Sequence, residues 1–204
     1  MIDHEISVRR LSSDDWPTER MLRLAALADA PSAFGSRLVD AEAFDEVDWR
    51  RRLSSQVRFA AWLDDAPVGT IGFAAASEPY PVGTAIFVGT WVSPSARRHG
   101  VADRLVEEVV AQCRREGVSA IWLSVTHGNL AAEGLYARHG FTRTGTLLDG
   151  DGDTFDMLRS HDLMDPWRTI GLTAKLDAGD EAPPQPLPTS HLRMRLERGS
   201  CWSG

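Results

Sequence analysis

A chain of 204 residues with 43% hydrophobic and 25% charged side chains has the composition of a soluble domain. It is long enough to bury a core without disulfides or a structural metal. A net charge of −7 argues against a broad nucleic-acid footprint, which needs surplus Lys and Arg. No apolar run reaches the ~18–20 residues needed to cross a bilayer. The start, MIDHEISVRR, lacks an apolar h-region, so a signal peptide is not expected and a cytoplasmic location is. Two cysteines, Cys113 and Cys201, make neither a disulfide framework nor a four-ligand zinc site. Arg supplies all but one of the 22 basic residues, the usage of a GC-rich, bacterial genome.

Residues 6–11 alternate apolar and polar and predict a half-buried strand. Ser13 and Asp14 can cap a helix running to about Leu27, with Leu22, Ala25 and Ala26 inward. Pro31, Ser32, Gly35 and Ser36 mark a loop, and a second helix is predicted over 41–53. Residues 57–63 and 68–76 read as a hairpin around the turn 64–67. The nearly all-apolar stretch 84–92 predicts a strand buried on both faces. The clearest helix is 101–116, where Val101, Leu105, Val109 and Ala102, Val106, Val110, Cys113 form one stripe, closed by Gly117. A strand over 118–125, a helix over 129–139 and a strand over 141–148 follow. Leu192, Met194 and Leu196 alternate with polar residues, so 191–198 reads as a last strand.

Between those last two strands, 149–188 is too long for an ordinary loop. It opens DGDGD, offers helical stretches over 155–161 and 167–176, and closes on Pro183, Pro184, Pro186 and Pro188. Its opening is a poor calcium loop, with Thr154 at the sixth position and Ser160 at the twelfth. Strand, two helices, three strands, helix, strand, helix and two strands make an α+β fold with a mixed sheet.

Chemistry concentrates in TWVSPSARRHGVADRLVEEVV. A buried strand ends at Val92. A loop with Arg97, Arg98 and His99 leads through Gly100 into the long helix. Glycine lets a ligand approach the backbone, and the first helical turn offers free N–H groups and the positive dipole end. That is a phosphate cradle. The glycines of a dinucleotide fingerprint and the lysine of a P-loop are absent.

With Arg97-Arg98-His99-Gly100-Val101-Ala102 and, downstream, Asn129, Ala131, Leu135-Tyr136 and Gly140-Phe141, the sequence resembles the GCN5-related N-acetyltransferase (GNAT) superfamily. The resemblance covers about residues 5–148 and 187–198. It implies a central mixed, mostly antiparallel twisted sheet flanked by helices, with 149–188 inserted between the last two strands of a single domain over 1–204. It implies acetyl transfer from acetyl-CoA to a primary amine of a small molecule or protein, by direct attack in a ternary complex. By carry-over, the pyrophosphate lies on backbone near Arg98 to Ala102. The pantetheine arm pairs beside Thr90-Trp91-Val92, and Asn129 bonds it. Tyr136 protonates the leaving thiolate. No metal, nucleic acid or membrane is expected, and a homodimer is left open.

Many relatives carry a glutamate on the strand before the phosphate loop, and 84–92 has no carboxylate. The base that deprotonates the amine is therefore open, with ordered water, Glu78 and His127 as candidates. A catalytically inactive acyl-CoA-binding module is the alternative reading. Trp91 and Trp122 lie on the two strands that the resemblance places around the cofactor, so either can line the pocket. The resemblance puts the acceptor beside the loop from Asp29 to Asp40, where Asp29, Asp40 and Glu42 either attract a cationic amine or are only solvated.

Overall fold

Branched and aromatic residues suit a pleated, half-buried surface, and the segments rich in them become strands. In the computed structural model, which describes residues 5–78, 80–144 and 154–160, they are β1 (Ile6–Arg10), β2 (Val57–Leu63), β3 (Ala66–Ala75), β4 (Ala85–Val92), β5 (Ala120–Thr126), β6 (Thr142–Arg143) and β7 (Thr154–Ser160). They form one sheet in the order β1-β2-β3-β4-β5-β7-β6. Only β4 and β5 run parallel; the remaining neighbours are antiparallel. The helices are α1 (Trp16–Asp29), α2 (Leu38–Glu42), α3 (Glu46–Ser55), α4 (Val101–Arg115) and α5 (Leu130–Arg138). This is the helix-flanked mixed sheet expected from the sequence.

Strand alternation divides the core into two layers. Phe59 and Ala61 join the α4–α5 side with Leu105, Val109 and Tyr136. Ala60, between them, joins the α1 side with Leu22, Ala26 and Trp91. The apolar stripe of α4 is buried as predicted, with Val101, Leu105, Val106, Val109, Val110 and Cys113 all inward. Each such side chain contributes ~1.5–3 kcal/mol by leaving water.

Three expectations are corrected. The helix over 41–53 is two helices, because the Asp45 carboxylate accepts from the Asp48 N–H at 2.9 Å and starts α3 afresh. Residues 155–160 of the stretch 155–161 are not helical; they belong to β7, paired with β5 from Ala120↔Ser160 to Thr126↔Thr154, and 161 lies outside the described residues. A seven-residue ladder satisfies more backbone than a marginal helix, so tertiary pairing overrides local preference. Thr154–Ser160 thus lies within the sheet; the rest of 149–188 and the strand over 191–198 lie outside the described residues. The third concerns β4, which is not buried on both faces: Ile86 and Val88 to Thr90 are only partly buried.

A bulge interrupts the strand beyond Val88. Thr70 pairs with Trp91 and Gly72 with Val88, so two β4 residues, Gly89 and Thr90, oppose Ile71 alone. Gly89 has φ +64°, a left-handed conformation that glycine adopts without a Cβ penalty. Fully buried Arg58 fixes the distortion, donating to the Val88 carbonyl at 2.8 Å and to Thr70 Oγ1 at 2.8 Å. β4 and β5 pair only at Ala85↔Ile121 and Ile86↔Trp122. Beyond Ile86 they diverge, and the notch between them is where the site lies.

Candidate active site

The notch has β4 on one side and β5 on the other. Phe87, Gly89 and Thr90 face Leu123 to Thr126, with Asn129, Ala132, Tyr136 and Phe34 completing the lining. It opens into a cavity of about 490 Å³ that reaches the start of α4. Of the residues singled out in the sequence, Trp91, Val92, Arg97, Arg98, Gly100, Val101, Ala102, Asn129 and Tyr136 all line this cavity. His99 does not; it points to solvent on the loop.

Local rules build the loop. Pro94 starts a 3-10 turn, Pro94–Ala96, which ends β4. Arg98 at φ +67° and Gly100 at φ +82° then swing the chain into α4. Arg98 holds a conformation that costs a non-glycine residue ~1–2 kcal/mol. Gly100 is the N-cap of α4 and supplies no capping side chain, so the first-turn N–H groups are left to solvent or ligand. Nothing lies within 4 Å of where a Cβ on Gly100 would stand. The space above this backbone is open.

Arg97 is held from two sides. Its Nε donates to the Val92 carbonyl at 3.0 Å, and its guanidinium pairs with Asp29 at the end of α1. The same Asp29 carboxylate accepts from Trp91 Nε1 at 2.9 Å. That indole bond, with help from Arg97, holds the Asp29 carboxyl below the usual carboxylate range. Asp29 is therefore spent on the cavity wall. Asp40 is likewise paired, with Arg37 at 2.7 Å. Neither is free to draw in a cation.

Tyr136 sits under the notch, buried, with its ring edge-on to Phe87 and Phe141. Burial pushes its phenol pKa above the ordinary value of 10.0, and a hydrogen bond with the Thr90 side chain opposes this. The phenol therefore keeps its proton at neutral pH, as a proton donor must. Asn129 Oδ1 accepts from the Ala132 N–H at 3.2 Å and caps α5. Its amide nitrogen makes no hydrogen bond among the described residues.

Trp122 is not at the site. It pairs with Ile86 at the closed end of the notch and packs against Tyr80. Glu78 follows the Ala75 end of β3, which pairs with Ala85, whereas the cavity lies at the opposite Val92 end. His127 is exposed and lines neither the notch nor the cavity.

Two contributors went unread. Phe34, in a stretch read as loop, lines the notch. Asp156 sits on β7 opposite Ser124, buried, and accepts from Ser124 Oγ at 2.6 Å. The helical reading of 155–161 hid it. An isolated glycine within an apolar strand, Gly89, was the one signal for the bulge.

The fold has counterparts among solved structures. No curated protein sequence matches the chain. Among solved structures, the PaiA N-acetyltransferase of Thermoplasma acidophilum in complex with coenzyme A is 16% identical, with TM-score 0.61 over 77% of this chain and 99% of that one. YncA, a putative acetyltransferase of Salmonella typhimurium with its cofactor acetyl-CoA, is 19% identical, with TM-score 0.62 over 78% and 95%. The ribosomal-protein-alanine N-acetyltransferase of Brucella melitensis is 20% identical, with TM-score 0.61 over 76% and 99%. At these identities they share a fold. The sequence model of the acetyltransferase (GNAT) family matches residues 18–141, more than half of the chain, and so the chain belongs to the GNAT acetyltransferase family.

Proposed function

We propose that this protein transfers the acetyl group of acetyl-CoA to a primary amine by direct attack, with both substrates bound in the divergence of β4 and β5. The observation that carries the reading is the meeting of three features in one cavity: an uncapped helix start at Gly100, an unpaired strand edge along 87–92, and a protonated phenol at Tyr136.

The residues present fit the cosubstrate. Open space over Gly100 and free N–H groups at the α4 start suit a pyrophosphate, with Arg97 and Arg98 adding attraction. Past Ile86 the β5-facing edge of β4 has no partner strand among the described residues. An extended pantetheine arm with amide groups can add there as a strand would, and the free Asn129 nitrogen can bond it. The thioester then lies in the notch beside Thr90 and Tyr136. That the neighbours in Thermoplasma and Salmonella hold coenzyme A or acetyl-CoA supports the same choice.

In the reaction the amine nitrogen attacks the thioester carbonyl carbon. The C–S bond breaks, and the sulfur takes the Tyr136 proton as it leaves. The amine must lose a proton as well. A lysine-like ammonium with pKa ~10.4 is handicapped by ~4–5 kcal/mol at neutral pH. β4 offers no carboxylate, but Ser124 lines the notch and donates to Asp156. A proton passed to Ser124 Oγ can move on to that buried carboxylate.

The test is thiol release from acetyl-CoA across a panel of amines, with the intact mass of the protein followed in parallel. Direct attack predicts release only when an amine is present, one acetylated amine per thiol, and no acetylated protein before the amine is added. Acetyl-CoA binding without release for any amine would make the chain an inactive acyl-CoA-binding module.

A further inference from the structure

Four ionisable side chains meet behind the β4 bulge, and their charges do not cancel. Glu19 of α1 is fully buried and accepts from Arg52 Nε at 3.0 Å and from Arg58 Nε at 3.3 Å. Its carboxylate is thereby shared by two guanidiniums. Arg23, one turn further along α1, is the third cation and is only 6% exposed. It makes no hydrogen bond and no ion pair among the described residues. Its guanidinium stacks on the Phe34 ring, 4.8 Å from the centroid. One terminal nitrogen lies 3.4 Å from where a Cβ on Gly89 would stand. Phe34 and Gly89 both line the notch.

Three guanidiniums and one carboxylate therefore leave a net positive charge against the wall of the site. Burial pushes the Arg23 pKa down to about 10, with Arg52 and Arg58 acting in the same direction and Glu19 opposing. At neutral pH Arg23 is still a cation. A buried charge without a partner is strongly disfavoured, and a leucine would pack against Phe34 at lower cost. A planar guanidinium is the group best shaped to receive a carboxylate.

We propose that Arg23 binds a carboxylate carried by the acceptor, so that the substrates are amino acids or related amino carboxylates rather than polyamines. The inference rests on the acetyl-transfer reading and names its acceptor class. The reacting nitrogen would lie by Ser124 and the thioester, and the carboxylate at the Phe34–Gly89 wall of the notch, reached by the Arg23 guanidinium from behind that wall. A polycation would meet the same excess charge as repulsion.

The test compares α-amino acids with their decarboxylated amines: phenylalanine with phenethylamine, lysine with cadaverine, tryptophan with tryptamine. O-phosphoethanolamine and spermidine are included as phosphate and polycation arms. The best amino acid should exceed its decarboxylated partner by about 10- to 100-fold in kcat/KM, the scale of a lost charge-assisted bond. In Arg23→Gln that ratio should fall towards one, and Arg23→Lys should recover part of it. A wild-type preference for the decarboxylated amines, for spermidine or for O-phosphoethanolamine overturns the proposal. So does a carboxylate preference that survives in a folded Arg23→Gln protein.

A second measurement needs no turnover. N-acetylphenylalanine and N-acetylphenylalanine amide are titrated calorimetrically into the wild-type protein saturated with coenzyme A. The acid should bind about tenfold more tightly than the amide, and Arg23→Gln should abolish the difference. Equal affinity, or no binding of either probe, overturns the Arg23 assignment. Acid-selective binding in a protein that acetylates no amine would instead sink the acetyl-transfer reading and leave the carboxylate site standing.

Discussion

Tyr136 and Asp29 show how differently two residues can be legible. Tyr136 came from a motif, and its surroundings give that motif a physical meaning: a phenol under the notch, kept protonated by burial. Tyr136→Phe keeps the edge contacts with Phe87 and Phe141 and removes only the proton donor. Its kcat should fall ~10²–10⁴-fold with acetyl-CoA affinity little changed; steady-state kinetics and calorimetry check both. Asp29 was read only as acidic, in the same terms as Asp40, because sequence does not say whom a carboxylate meets. The fold ties Asp29 to Trp91 and Arg97 and ties Asp40 to Arg37 outside the cavity. Asp29→Asn should therefore weaken acetyl-CoA binding about 3- to 10-fold by releasing Arg97, while Asp40→Asn leaves it unchanged. Calorimetry on the two variants separates them.

At the scale of the element, α4 was the most readable part of the chain, since a strong 3.6-residue stripe leaves one face to bury. Leu105, with no exposed surface, sits mid-stripe. Leu105→Ala should cost ~2–5 kcal/mol in urea unfolding. β4 was legible as a strand but not as a bulged one, because the distortion depends on Arg58, 30 residues away from the Val88 carbonyl it binds. β7 was misread because its stability comes from the ladder with β5 rather than from its own residues. The loop before α4 carries a sharper test. Gly100→Ala adds a methyl group in a left-handed conformation, and Gly100→Asn adds a larger side chain that tolerates this conformation better. If the open space over Gly100 holds a pyrophosphate, Asn should lose at least as much acetyl-CoA affinity as Ala, roughly tenfold or ~1.4 kcal/mol. It should do so while unfolding at the higher temperature. If backbone strain alone mattered, Ala would be the worse binder.

Across the whole molecule, the order of strands and helices up to α5 was written in the periodicities, apart from the break between α2 and α3, but the divergence of β4 and β5 was not. It arises only when a bulge on one strand meets a parallel neighbour. The same opening exposes backbone that a folded sheet ordinarily satisfies within itself, and this gives the central claim its most direct measurement. Amide hydrogen exchange is followed on the protein with and without acetyl-CoA. The account predicts new protection confined to the free edge of β4, about residues 87–92, and to the start of α4, about residues 98–103. A separate recess of about 500 Å³, between α4, α5 and β7 and lined by Glu107, Arg114 and Arg159, should show none. Protection in that recess, with β4 and the α4 start unchanged at saturating acetyl-CoA, would contradict the account.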